Sequence, residues 1–164
     1  MPLECDSKSR KTRLSDKMQK EAQMNNLDEL LRSMTFEFFG AGKHKIEMDA
    51  LLATKDAIFL DVRSRQEWES LQIKLEHHIN VLWIPIDEVP SRWKEIPRDP
   101  TVGVFCSAGT RSTIVYLYLR SKGYQNVRIA PSTYDAITNL LLPGKLFKVV
   151  RERTKTQYTD GHAS

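Results

Sequence analysis

Residues 101–124 read "TVGVFCSAGTRSTIVYLYLRSKGY". The first five residues are an apolar run of strand length. The segment from Arg111 to Gly123 has helical spacing, with Ile114, Val115, Leu117 and Tyr118 supplying an apolar face and Gly123 as the stop. Between them lies a loop of small residues, opened by Cys106 and closed by Arg111. A strand, a short loop and a helix in that order form one unit of a parallel sheet. Such sheets place their ligand sites beyond the carboxyl ends of the strands. Cys106 stands at such an end. The amides of residues 107–112 (Ser107, Ala108, Gly109, Thr110, Arg111 and Ser112) can converge on one point where the helix begins, near Arg111–Ser112. Loop amides and a helix N-terminus together make an anion cradle. Arg111 adds a fixed charge, and small Ala108 and Gly109 let the backbone close around the sulfur.

The same alternation extends outward. "AIFLDV" (57–62) is a continuous apolar run and reads as a buried strand. "SRQEWESLQ" reads as a helix with Ser64 as N-cap and Glu67 three residues later. "NVLWIPI" (80–86) is strand-like up to Pro85, "DEVPSRWKEI" is helical or turn-like, and "PRDP" is a turn. "NVRIA" is a further strand, and "STYDAITNLL" a final helix with Ser132 as its candidate cap. Upstream, a short strand fits near His44–Ile46, followed by a helix over "MDALLA". Strands alternating with helices give an α/β fold with a largely parallel sheet.

The two ends differ from this middle. Residues 1–14 are polar and read as disordered. Residues 16–39 carry helical spacing, with Met18 and Ala22 on one face and Leu27, Leu30, Leu31, Met34 and Phe38 continuing it. Asn26 with Glu29 fits a capping box that would split this segment into two helices, with Gly40 or Gly42 as the stop. Its apolar face calls for a cover, either the domain's own sheet or a second copy or partner. "GAGK" is not a phosphate loop, because Glu37 stands where the earlier glycine is required and His44 replaces Ser/Thr. Residues 149–164 read as a frayed tail. The resulting division is an N-terminal extension (1–43), a domain (44–148) and a flexible tail (149–164).

Composition removes several function classes. The chain has 164 residues and a net charge of +4, and a domain of this size buries roughly 70% of its unfolded surface without metal or disulfide support. Residues 21–144 hold 14 basic and 16 acidic side chains, so the positive charge belongs to the ends. That distribution, with no reading motif, argues against nucleic-acid binding. The two cysteines, Cys5 and Cys106, are far apart and no Cys/His cluster exists, so neither a metal site nor a cofactor is expected. No run of 18 apolar residues is present, and the first residues lack the apolar core of a secretory signal. The expectation is a cytoplasmic protein in a reducing compartment, with Cys106 as a free thiol.

A magnitude indicates what the cradle achieves. A thiol with a pKa of ~8.5 is a few per cent thiolate at pH 7. Lowering that pKa by about two raises the thiolate fraction roughly 25-fold, while the lost nucleophilicity gives back roughly 8-fold. The larger role of the loop is therefore to hold an anionic covalent adduct. A cysteine after an apolar strand also fits a core residue. The following S-A-G-T-R-S favours the site, because a core cysteine has no need of a small-residue loop ending in a cation.

"CSAGTRS" and the upstream "FLDVRSRQEW" together resemble the single-domain rhodaneses. That family carries a Cys-x-x-Gly-x-Arg active loop and a "DVR…E" motif on the second strand. The resemblance covers roughly residues 44–148. It implies an open, mainly parallel sheet of about five strands with helices on both faces. It implies Cys106 as the nucleophile of a sulfurtransferase, carrying a persulfide between a sulfane-sulfur donor such as thiosulfate and a thiol, cyanide or protein acceptor. It assigns Asp61, Arg63 and Glu67 to polar contacts supporting the catalytic wall, whereas read alone they also fit surface pairing. The chain departs from the family in two places. "HHINV" keeps only His78 and Ile79 of the usual His-Ile-Pro-Gly-Ala, and "APST" and "YDAITNL" lack the usual Gly-Gly and Trp. His77 and His78 read as structural or surface residues.

Two rivals remain. A phosphatase or arsenate reductase of related fold uses His-Cys-x5-Arg, whereas four residues separate Cys106 from Arg111 and Phe105 occupies the His position. The shorter loop suits one sulfur atom better than a tetrahedral phosphate. A non-catalytic binding or sulfur-carrier module is the other, although such domains typically lack the cysteine that is present here.

Overall fold

A computed structural model describes residues 26–160, with side chains described up to residue 152. Four strands form one parallel sheet in the order β2-β1-β3-β4: β1 Ile58–Asp61, β2 Asn80–Trp83, β3 Val102–Phe105 and β4 Val127–Ile129. A helix at 26–33 (α1) and α2 Phe36–Gly40 precede the sheet. Helices α3 Met48–Ala53, α4 Arg65–Ser70, α5 Val89–Arg92, α6 Thr110–Ser121 and α7 Tyr134–Thr138 connect or flank the strands, and α8 spans Pro143–Asp160.

Both faces of the sheet are covered, so the central strands read as continuous apolar runs. Side chains still alternate with the two-residue period of a strand. Ile58, Leu60 and Val62, with Val102, Val104 and Cys106, join the cluster that includes Val115, Tyr116 and Leu119 of α6. Ala57, Phe59 and Phe105 join Leu51, Leu75, Ile137 and Leu140 on the other face. Each fully buried large side chain contributes about 1.5–3 kcal/mol. Gly103 allows the close approach of α3, since a Cβ there would lie 2.4 Å from Leu51 Cδ2.

The topology creates the site. From β1 the chain moves to β2 on one side, and from β3 it moves to β4 on the other. The loops leaving β1 and β3 therefore diverge and open a crevice at the carboxyl ends, the switch point of an open parallel sheet. Asp61 is in register with Phe105, and Val62 N–H donates to Phe105 O at 2.9 Å. The "DVR" and "CSAGTR" segments thus leave the sheet side by side.

Several expectations change in detail. The strand expected at His44–Ile46 reduces to a single bridge between Lys45 and Ile129, because α3 begins at Met48. Ser132 does not cap α7; Thr133 holds that position and makes no side-chain cap bond. Helix α6 starts at Thr110, and its buried stripe is Ser112, Val115, Tyr116 and Leu119 rather than the face through Ile114, which is 52% exposed. Within the described residues the N-terminal helical segment breaks before Thr35, which caps α2, and the residues before Asn26, where a split was expected, lie outside the described residues. Asn26 instead donates to Ser121 O at 3.4 Å, tying α1 to α6. Met34 and Phe38 pack on the core, so the domain itself covers part of the extension's apolar face. Helix α8 continues through Asp160, where a frayed tail was expected from residue 149. Residues 1–25, including Cys5, Met18 and Ala22, lie outside the described residues. Among the described residues no helix is long and apolar enough to cross a membrane.

Candidate active site

Cys106 follows Val102 and Val104 on the α6 side of β3 and is fully buried. Its Sγ accepts hydrogen bonds from Gly109 N–H at 3.1 Å and Ser112 N–H at 3.4 Å. Ser112 Oγ lies 3.6 Å from Sγ and donates to Gly109 O at 2.8 Å. Gly109 caps α6 with φ 81, a left-handed conformation that glycine adopts without strain and that turns its N–H onto the sulfur. Burial pushes the Cys106 thiol up, but the hydrogen bond it shares with the Ser112 hydroxyl and those from the amides of Ser112, Ala108 and Gly109 outweigh it. The thiol is left below its ordinary value.

A second group surrounds Glu67. Ser64 caps α4, and Glu67 closes a capping box by accepting from Ser64 N–H and Oγ at 3.0 and 2.9 Å. The same carboxylate accepts both guanidinium nitrogens of Arg111, Nη2 at 2.8 Å. Ser107 Oγ donates to Glu67 Oε1 at 2.7 Å and accepts from Arg111 Nη2 at 2.9 Å. The Arg111 guanidinium holds the Glu67 carboxyl well below the usual carboxylate range, and Glu67 in turn raises Arg111. The network fastens both ends of the cysteine loop to the first turn of α4.

Asp61 and Arg63 form a third group, buried behind the loop. Arg63 is 0% and Asp61 1% exposed. Arg63 donates to Asp61 through Nε at 3.0 Å and Nη2 at 2.7 Å, and to Leu71 O at 2.8 Å. Its Nη1 donates to Tyr134 Oη at 3.1 Å, and its guanidinium lies 5.8 Å from the Phe105 and Tyr134 ring centres. Burial lowers the Arg63 pKa, and the bonds to Asp61 and Tyr134 more than restore it.

The residues singled out from the sequence thus converge at one end of the sheet but divide by depth. Cys106, Gly109 and Ser112 make the cradle; Ser107, Glu67 and Arg111 brace it; Asp61 and Arg63 lie beneath. Ala108 and Thr110 are exposed at the loop's outer face. His77 is exposed, and buried His78 neighbours Ala57 and Asn80 at the opposite end of the sheet. The sequence reading missed Tyr134, which joins α7 to the buried arginine. Its signal was an aromatic residue in "YDAITNL", where the resembled family carries Trp. Ser132 was read as a cap, but its Oγ would lie 3.5 Å from a Cβ built on Gly109, so it abuts the cysteine loop.

Comparison with known proteins identifies a family for the domain. The family model described as "Rhodanese-like domain" matches residues 45–139. A tRNA sulfurtransferase of Proteus mirabilis is 32% identical over 85 residues, covering 52% of this chain and 17% of the relative. The corresponding protein of Aeromonas salmonicida matches to the same extent. The match therefore spans about a sixth of the length of these curated relatives. Among solved structures, a NAD-dependent persulfide reductase from A. fulgidus is 34% identical, with a TM-score of 0.45, over 57% of this chain and 15% of that one. A rhodanese-related protein from Thermoplasma volcanium is 25% identical, with a TM-score of 0.47, over 58% of this chain and 91% of that one.

Proposed function

Since the chain belongs to the rhodanese-like domain family, we propose that it is a sulfurtransferase that moves sulfane sulfur through a persulfide on Cys106. The observation that carries this reading is the cradle, in which Sγ accepts two backbone N–H bonds at the start of α6. The Cys106 thiolate attacks the outer sulfur of a donor such as thiosulfate. The donor's S–S bond breaks and sulfite leaves with the electron pair. An acceptor thiolate then attacks the outer sulfur of the persulfide, and the electron pair of that S–S bond returns to Sγ. Cyanide in the acceptor's place leaves as thiocyanate. Each half-reaction conserves electrons, so no further oxidant or reductant is needed.

The chain's own groups have separate tasks. Ionisation of the thiol frees the Ser112 hydroxyl to turn from Gly109 O towards Sγ and donate to the anion. The amides of Gly109 and Ser112 stabilise the thiolate and then the adduct. Arg111, bound through both ends to Glu67 and Ser107, is a positioning residue that keeps the loop closed around the sulfur. Support also comes from the resemblance of the domain to part of proteins named as tRNA sulfurtransferases, which favours sulfur transfer over phosphate chemistry.

The test is direct. The protein is treated with excess thiosulfate, freed of donor, and weighed intact without reductant. The mass should rise by one sulfur atom located on the Cys106 peptide, and cyanide should release it as thiocyanate. Cys106→Ser should acquire no sulfur, whereas Cys5→Ser should behave as the parent. A protein that never acquires sulfur and binds a partner equally well as Cys106→Ser would be a binding module instead. Hydrolysis of an aryl phosphate through Cys106 would overturn the argument from loop length.

A further inference from the structure

Strand β2 forms one edge of the sheet. Its register pairs Asn80–Trp83 with Ile58–Asp61, and the next residue, Ile84, donates its N–H to Asp61 O at 3.0 Å. Peptide groups alternate sides along a strand, so Leu82 and Ile84 face β1 while Val81 and Trp83 turn their N–H and C=O outward. Among the described residues these outward groups have no backbone partner. Open edges are ordinarily blunted by charge, proline or a bulge. Asn80, Val81, Leu82 and Trp83 carry no charge, and Pro85 lies beyond the strand. The β4 edge differs, because Lys45 bridges to Ile129 there. Aromatic area accompanies the open edge. Trp68 and Trp83 stack with ring centres 4.6 Å apart, and both are half-buried. With Ile73 and Val81 they line a cavity of about 410 Å³.

We propose that β2 pairs antiparallel with β2 of a second copy of this chain, across a two-fold axis at Leu82, joining two four-stranded sheets into one. A row of outward N–H and C=O groups is satisfied by extended polypeptide and not by a small molecule. A second copy supplies a strand of equal length whose outward groups fall at the matching positions. The two-fold sets Val81 opposite Trp83 of the second copy and then repeats that pair, giving about four main-chain hydrogen bonds. Self-pairing brings no like charges together within the strand, and the charged residues lining the cavity, Lys74 and Glu76, are of opposite sign. Arg65, whose guanidinium lies 5.3 Å from the Trp83 ring centre, is paired with Glu88. Val81 and Trp83 take the same face of the strand, so Trp83 of the second copy comes to lie beside Val81, next to the cavity. An isologous contact of this kind closes at two copies. Pairing at this edge does not depend on the chemistry at Cys106.

The full-length protein is followed by sedimentation and by amide hydrogen exchange from micromolar to millimolar concentration. Its mass should double, and exchange at Val81 and Trp83 should slow by at least about 10-fold. Leu82 and Ile84, which face β1, should change little over the same range. Val81→Pro removes an outward N–H that makes no bond to β1, a position where an edge strand accepts proline. That variant should keep the parental exchange at Leu82 and Ile84, stay monomeric and lose the concentration dependence at Trp83. Val81→Lys keeps the backbone N–H but places a charge on the edge, and should weaken self-association by at least about 10-fold. It carries the test should the proline disturb folding. A monomer whose Val81 and Trp83 amides exchange freely at every concentration overturns the proposal by showing an open edge. A monomer in which both amides are protected also overturns it, because another part of the chain then lies on β2. A dimer that neither substitution weakens overturns it by placing the interface elsewhere.

Discussion

Glu67 and Arg111 are joined through both carboxylate oxygens and both terminal guanidinium nitrogens, although the two residues lie on different helices. The same carboxylate closes the capping box of α4 through Ser64. One side chain therefore sets the start of a helix and the shape of the cysteine loop. Glu67→Gln keeps a cap acceptor but removes the charge. It should lower stability by about 1 kcal/mol at neutral pH, a value typical of a partly exposed pair. The fold holds the Glu67 carboxyl below its ordinary range, so its contribution is complete above the unfolded pKa of ~4.3 and is lost as pH falls below it. Urea midpoints of the parent and the variant should differ at pH 7, and the difference should start to shrink as pH falls through about 4 and keep shrinking below it. A constant difference across that range would contradict the assignment.

Ser112 is fully buried, and its hydroxyl lies within reach of Cys106 Sγ. In Ser112→Ala the two amide bonds remain but the hydroxyl donor is lost. The thiol pKa should rise, so the pH midpoint for alkylation by iodoacetamide should move upward and alkylation at pH 7 should slow severalfold. An unmoved midpoint would assign thiolate stabilisation to the backbone alone.

The Asp61–Arg63 pair tests a different property. Asp61→Ala leaves a fully buried guanidinium without its carboxylate, which should cost about 3–5 kcal/mol. Tyr134→Phe removes one hydrogen bond to the same guanidinium, and should cost only about 1 kcal/mol. Denaturant midpoints at neutral pH measure both. Equal losses from the two substitutions would show that the pair is hydrated rather than buried.

Gly109 has φ 81 and supplies the shortest bond to Sγ. Gly109→Ala places a Cβ in left-handed backbone at a cost of about 1–2 kcal/mol. Its contact with Ser132 Oγ, at 3.5 Å, is ordinary, so the cost comes from the backbone and not from crowding. The variant should melt lower and form the Cys106 persulfide more slowly, as measured by calorimetry and intact mass. Parental persulfide formation in a folded variant would remove Gly109 from the cradle.

The sequence by itself determined the local units. The β-branched runs around Leu60 and Val104, the S-x-x-E box at Ser64–Glu67 and the glycine stops each act over a few residues, and so does the loop that joins Cys106 to α6. Local chemistry of that kind is legible without knowing what lies across the fold. Tertiary structure decided the rest. Asp61, Arg63 and Glu67 look like one group in "DVRSRQE", but bonds to Asp61, Leu71 O and Tyr134 hold Arg63 in the interior while the α4 cap holds Glu67 at the loop. The buried face of α6 is set by where β3 and β4 lie beneath it, which is why Ile114 is left half-exposed while Ser112 is buried. The strand expected near Lys45 reduces to one bridge, since α3 begins three residues later at Met48. The bond between Arg63 and Tyr134 could not be read from sequence, because it exists only where distant segments meet. Periodicity reports the face a side chain takes on its own element, and packing decides what that face meets.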